Sequence, residues 1–300
     1  MKVLVTGVAG QLGHDVMDEL VARGHEGVGS DLYITGVVLP YYGMDITDKA
    51  EVARLMKEIS PDAVIHCGAF SGIEKAEKNP QRARDVNENG TRYIAENCRK
   101  LGIKMLYVSS DYVFGDGLGE RDEDSTSFDP LNVYGRTKLA GERAVIENLD
   151  RYFIVRVAWI YGRNGHNFVK TMLRQARKQR EIEVPCDQTG IPTSTYDVAR
   201  LLVDMIESDK YGVYHATNSG DYVSLYEFAK EVFRLSGVTV RLKAVDSHGC
   251  FNNTSVRVPC NSCLSTKKLS ENGFTPLRDW REALKSFLWG YEGNGGGYAC

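Results

Sequence analysis

The residue pattern points to an α/β fold: a doubly wound parallel sheet with a smaller C-terminal lobe. Three features carry that expectation. Short apolar runs rich in β-branched residues alternate with helical periods through the first half of the chain. A glycine-rich turn joins the first strand to the first helix. The alternation then loosens after Trp159, as it does where a second lobe begins.

Taken in order, Lys2–Thr6 reads as a strand. Residues 10–23 read as a helix with Leu12, Val16, Leu20 and Val21 on one stripe. Strands follow at 26–30, 63–67, 104–109 and Tyr152–Val157. The helices between them fall at 48–59, at 73–101 as one long element, and at 130–149. Strands alternating with helices require a parallel sheet covered on both faces. Later helices are expected at 168–180, 195–208, 224–236 and 279–288, with a strand at 214–216 returning to the sheet. Residues 247–261 read as a loop and 291–300 as a flexible tail. The expected division is a dinucleotide-binding domain over 1–160, rejoined by 191–216. A substrate lobe would be built from 161–190 and 217–290.

Composition narrows the function classes. The chain has 300 residues, enough for such a two-part body, and is 42% hydrophobic and 26% charged. A net charge of −3 offers no electrostatic case for nucleic acid or an anionic membrane. MKVLVTGVAG reaches glycine too soon for a secretory leader, and no run approaches the ~20 apolar residues of a membrane span. The expectation is a cytoplasmic chain whose 7 cysteines are reduced.

Gly7, Gly10 and Gly13 lie in Thr6-Gly7-Val8-Ala9-Gly10-Gln11-Leu12-Gly13. Gly7 permits a tight turn, Gly10 lets backbone N–H groups approach a pyrophosphate, and Gly13 lets the helix pack on the strand. The helix N-terminus then faces the phosphates of a dinucleotide, NADH or NADPH. Asp31 ends the second strand, where an acid binds the adenosine ribose, and its charge favours NADH over a 2′-phosphate. A strand-end Asp without a ligand is the alternative.

Tyr-x-x-x-Lys occurs at Tyr134/Lys138 and again at Tyr226/Lys230. The first pair follows a strand ending in Ser109-Ser110; the second sits in the later lobe and reads as a helix-surface pair. Reducing a ketone needs hydride on carbon and a proton on oxygen. Tyr134 can deliver the proton, Lys138 can pull down the phenol pKa, and Ser110 can donate to the developing alkoxide.

These residues resemble the extended short-chain dehydrogenase/reductases, and within them the dTDP-4-dehydrorhamnose reductases. The segments that carry the likeness are VTGVAGQLG, MDITD, KAEKNP, SSDYVF, NVYGRTKLAGE, RVAWIYG, HNFVKTML, DQTGIPTS and DWREAL, spread over 1–290. The resemblance implies NAD(P)H-dependent reduction of a nucleotide-linked 4-keto sugar. It implies a cofactor site at Gly7, Gly10, Gln11, Leu12, Gly13, Asp31, Asp45, Ile46, Cys67, Gly68, Ala69, Asn87, Tyr134 and Lys138. It implies a sugar-nucleotide site at Ser110, Asp111, Trp159, Asn167, Phe168 and Lys170, although Trp159 and Phe168 also suit a core. A homodimer, and Mg²⁺ at a dimer contact, follow from the resemblance alone.

Three departures touch the pocket. Ser110 stands where the family usually has Thr, HCGAF at 66–70 replaces a run closer to NAAAY, and the late Arg-Pro becomes Arg257-Val258-Pro259. Epimerases and dehydratases of nucleotide sugars share the fold, but Asp111 is followed by Tyr112 and not by the acid of a dehydratase. A non-catalytic dinucleotide-binding subunit would need none of Ser110, Tyr134 and Lys138. His248, Cys250, Cys260 and Cys263 form a weak zinc pattern, and no metal is expected.

Overall fold

The computed structural model describes residues 1–32, 40–117, 119–247 and 256–293. Six strands, β1 (Lys2–Thr6), β2 (Glu26–Asp31), β3 (Tyr41–Gly43), β4 (Ala63–His66), β5 (Lys104–Ser110) and β6 (Tyr152–Val157), form the main sheet with Gly212–Ala216. Its order is Gly212–Ala216, β6, β5, β4, β1, β2, β3, all pairs parallel. The chain winds outward from β1 through β2 and β3, then crosses to β4 and winds the other way. The direction changes between β1 and β4, and a crevice for a ligand opens above the C-terminal ends of strands at such a point.

Alternation along β1 explains the layering. Val3 and Val5 face one side, against α1 (Gln11–Ala22) and α8 (Thr195–Ile206). Leu4 faces the other, against α2 (Lys49–Ile59), α5 (Thr91–Leu101) and α6 (Val133–Asn148). A separate apolar cluster joins α7 (Phe168–Ala176), α9 (Leu225–Ser236) and the last helix (Trp280–Gly293) to the strand Glu181–Pro185. Among the described residues no helix is long and apolar enough to cross a membrane.

The helix expected over 73–101 is broken. It runs as α3 (Ile73–Lys78), α4 (Pro80–Arg84), a π-helical turn at Asp85–Gly90, and α5. Pro80 has no N–H to continue the helix, so Asn79 leaves helical geometry at φ −135° and Pro80 starts anew. The wide turn presses Asn87 inward until it is fully buried. The helix expected over 168–180 stops at Ala176, because Glu181–Pro185 pairs with Arg241–Val245 in a two-stranded sheet that the sequence did not suggest. The tail expected from 291 is helical as far as Gly293, while 294–300 lie outside the described residues. Of the expected loop, 248–255 likewise lie outside them.

Candidate active site

The glycine turn closes on itself. Gly7 has φ +75°, and a Cβ there would sit 2.6 Å from Gly68 N. A Cβ on Gly13 would meet Gly7 O at 2.3 Å. Gly10 caps α1, and no side chain caps that first turn, which leaves amides facing the crevice. Asp31 turns toward the same loop: Oδ2 accepts from Ala9 N at 3.0 Å and Oδ1 from Leu32 N at 2.7 Å. The residues therefore fit a dinucleotide: the cradle is one that any side chain would fill.

Along the rim, burial pushes the Asp45 carboxyl up. Hydrogen bonds from Thr47 and the Arg82 guanidinium outweigh that and hold it below its ordinary value. Ile46 packs under Gly90. Cys67, Gly68 and Ala69 are half-buried after β4. Asn87 props this segment, accepting from Phe70 N at 2.8 Å and donating to Thr137 Oγ1 at 2.9 Å. Its amide thus ties the rim to α6.

The start of α6 is fixed from three sides. Asn132 Oδ1 accepts from Gly135 N at 2.9 Å, its Nδ2 donates to Arg257 O at 2.9 Å, and Glu77 accepts from Val133 N at 2.7 Å. Gly141 lets the helix lie against β5, since a Cβ there would meet Tyr107 Oη at 2.3 Å. Tyr134, in the first turn, is half-buried, packs edge-on to Tyr112 at 5.4 Å, and lies beside Ser110 at the end of β5. Lys138 is 2% exposed; Nζ donates to Val108 O at 2.7 Å and lies 4.1 Å from the Tyr107 ring centre.

Burial pushes Tyr134 up to about 12 and brings Lys138 down to about 7. The sequence led us to expect an ammonium that lowers the phenol. Desolvation instead dominates both groups, and the ammonium is turned toward Val108 O. At pH 7 the phenol is protonated, the form a ketone reduction needs.

On the sugar side, Ser110 Oγ donates to Asp111 Oδ1 at 2.9 Å and Ser262 Oγ donates to Oδ2 at 2.5 Å. Burial raises Asp111 to about 6. Trp159 is half-buried with φ +47°, a left-handed backbone that favours glycine and that clusters at functional sites. Asn167 caps α7, accepting from Lys170 N at 3.0 Å and donating to Gln11 Oε1 at 2.8 Å, which joins two candidate residues across the crevice. Phe168 stacks on Phe228 at 5.2 Å. Lys170 Nζ donates to Gly165 O at 3.0 Å. Arg257 pairs with Asp116 at 2.8 Å.

Of the zinc pattern, His248 and Cys250 lie outside the described residues. Cys260 is disulfide-bonded, against the expectation of reduced thiols, and Cys263 is a buried free thiol. Sequence reasoning missed the groups beneath the site: Ser109, Glu142 and Arg156, with Ser262 beside them. A signal was present. Arg156 is the one charge in Tyr-Phe-Ile-Val-Arg-Val, and a cation in a buried parallel strand demands a carboxylate.

Fold and site define a Rossmann-type protein of the extended short-chain dehydrogenase/reductase class. Within it, the chain belongs to the family described as the RmlD substrate binding domain, whose model matches residues 1–292. It is 36% identical over 294 residues to dTDP-4-dehydrorhamnose reductase of Mycolicibacterium smegmatis, covering 95% of this chain and 84% of that one. It is 36% identical to dTDP-4-keto-6-deoxy-D-glucose reductase of Streptomyces niveus, covering 94% of each. Among solved structures, dTDP-4-dehydrorhamnose reductase of Bacillus anthracis in complex with NADP superposes with a TM-score of 0.88. That match has 35% identity and covers 96% of this chain and 99% of that one.

Proposed function

We propose that this chain is an NAD(P)H-dependent oxidoreductase that reduces the 4-keto group of dTDP-4-dehydro-L-rhamnose to give dTDP-L-rhamnose. What supports the reading is that Ser110 ends β5 with Tyr134 beside it, and that Lys138, one turn further along α6, is buried with Nζ on Val108 O of the same strand.

Residues 1–160 with 191–216 would hold the dinucleotide, through Gly7, Gly10–Gly13, Asp31, Asp45–Ile46, Cys67–Ala69 and Lys138. Asn87 would support that rim. Residues 161–190 and 217–290 would close over the sugar nucleotide, with Asp111, Trp159, Asn167, Phe168 and Lys170 along it. A reduced dinucleotide held there would supply hydride to the carbonyl carbon. Tyr134 gives its phenolic proton to the carbonyl oxygen, which balances the step from ketone to secondary alcohol. Ser110 hydrogen-bonds the same oxygen as its charge grows. Lys138 stabilises the phenolate left on Tyr134.

Asp31 favours NADH, whereas the Bacillus anthracis relative was crystallised with NADP. Steady-state turnover of dTDP-4-keto-L-rhamnose, run once with each dinucleotide, tests both points. No dinucleotide oxidation with either would overturn the reading. The Streptomyces niveus relative motivates one competing reading, a different 4-keto-6-deoxy sugar. Faster turnover of dTDP-4-keto-6-deoxy-D-glucose would select it.

A further inference from the structure

Glu142 and Arg156 form an ion pair with side chains only 2% and 3% exposed. A buried pair is weak evidence for stability, because desolvation offsets most of the attraction. Its connections suggest another use.

Glu142 lies on α6 one turn beyond Lys138 and two beyond Tyr134, on the same face. Its Oε1 accepts from Ser109 Oγ at 2.5 Å and from Arg156 Nε at 2.9 Å; its Oε2 accepts from Arg156 Nη2 at 2.8 Å. Ser109 and Arg156 are register partners on β5 and β6, so one carboxylate spans a single rung of the sheet. The next residue on β5 is Ser110. Arg156 cannot shift in its turn: its guanidinium lies 5.0 Å from the ring centres of both Phe114 and Phe128, and Nη1 is 3.4 Å from His215 Nε2. Burial drives His215 down to about 3, so it adds no second cation there.

The same carboxylate bears on Lys138. The other titratable groups around that amine are His66 and Cys67 at the end of β4, Tyr107 on β5, and Tyr134 on α6. Burial takes His66 down to about 3, Cys67 and Tyr134 up to about 12, and Tyr107 far up, so all four are neutral at pH 7. Glu142 is the charge that favours the ammonium, with Arg156 behind it.

We propose that Glu142, anchored by Arg156 and Ser109, is a positioning residue that seats α6 on β5 beside Ser110, and that its carboxylate, one helical turn from Lys138, acts on that amine. This rests on the reading of Ser110, Tyr134 and Lys138 as the reacting set.

The test compares wild type with Glu142→Gln, with the charge-free Glu142→Met/Arg156→Met, and with Ser109→Ala. Four readouts are taken: the Lys138 titration by ¹³Cε-lysine NMR, dinucleotide affinity by fluorescence, kcat against KM, and the thermal midpoint. In Glu142→Gln, the Lys138 titration should move to lower pH. Its kcat should fall about 10²-fold, the penalty typical of misplacing a catalytic group, with a smaller loss of dinucleotide affinity through Lys138 and little change in KM for the sugar nucleotide. The double variant should regain thermal stability, as charge-free replacements of buried pairs do. Its kcat should stay low and its Lys138 titration displaced. Ser109→Ala, which keeps both charges, should lose kcat without displacing the titration. A double variant with wild-type kcat and titration would make the pair purely structural and overturn the proposal, as would an unmoved titration in Glu142→Gln. If the single variant does not fold, the double variant carries the test. If wild type reduces no keto-sugar, the function fails, and the NMR titration still judges the role of Glu142.

Discussion

Tyr134 and Lys138 lie one turn apart on α6, and Tyr226 and Lys230 lie one turn apart on α9. Spacing treats the two pairs alike. Lys138 is buried to 2% and held by Val108 O at 2.7 Å, and burial brings it down to about 7. Lys230 is exposed, lies 5.8 Å from its own Tyr226 ring centre, and lines a surface groove of 560 Å³ with Glu227, Glu231 and Arg234. Water can solvate that ammonium. What separates the pairs is what lies beneath the helix: for α6 a strand ending in Ser110 and a buried Glu142, for α9 an apolar cluster. The helix supplies proximity, and the sheet supplies the chemistry.

Removing each phenol in turn separates the two helices most clearly. Tyr134→Phe should lower kcat by about 10²–10⁴, the usual worth of a positioned general acid. Tyr226→Phe should leave kcat within roughly twofold, as surface changes away from special features do. Steady-state kinetics on both variants decide the matter, and equal losses would erase the distinction. Ser110→Ala comes next. It removes a hydrogen-bond donor that α9 has no counterpart for, and kcat should fall about 10²–10³-fold, as when one oxyanion donor is lost.

Much of this was readable in the residues, and the gaps have physical reasons. The first lobe was legible because period-2 and period-3.6 patterns alternate there with little interruption; Lys2–Thr6 and Tyr152–Val157 came out with their observed bounds. The break at Asn79–Pro80 was written in the sequence, yet the helical period continues across it and hid it. The strands Glu181–Pro185 and Arg241–Val245 were invisible because, among the described residues, each pairs only with the other, some 60 positions away, and half their residues face water. At the site, residue types and order predicted which groups converge. They did not predict that Gln11 and Asn167 would bind each other, or that Asp111 would engage Ser262. Such pairings arise where distant loops meet, and no local pattern encodes them.

Lys138 also makes the comparison pH-dependent. Its burial lowers its folded value to about 7 from an ordinary 10.5. If its charge assists Tyr134, kcat should fall as pH rises through about 7, by up to roughly tenfold per pH unit. Lys138→Arg should abolish that limb, and Lys230→Arg should leave it intact. Stability moves the other way. Between about 7 and 10.5 the unfolded chain holds a proton that folded Lys138 releases, so the free energy of unfolding should gain from this group as pH rises through that window. Denaturant titrations at pH 7 and pH 9, wild type against Lys138→Met, measure the difference. A pH-independent difference would mean that Lys138 keeps its proton when folded.

The smallest expected effect is the most exacting for the argument from environment. Ser110 sits at φ −146°, ψ 155°, an extended backbone that suits a β-branched residue. Its hydroxyl, and not its size, is what the comparison uses: it donates to Asp111, accepts from Tyr112 N at 3.2 Å, and meets Tyr134. Ser110→Thr keeps that hydroxyl and adds one methyl group in a site only 6% exposed. If the oxygen is the working part, kcat should stay within roughly twofold of wild type, and any change should fall on KM, where a methyl group would narrow the sugar pocket. Threonine carries its oxygen on one of two branches, so the rotamer that serves Asp111 and Tyr134 must also place the methyl group without a clash. A kcat as low as that of Ser110→Ala would show that the pocket around β5 is built for serine in shape as well as chemistry.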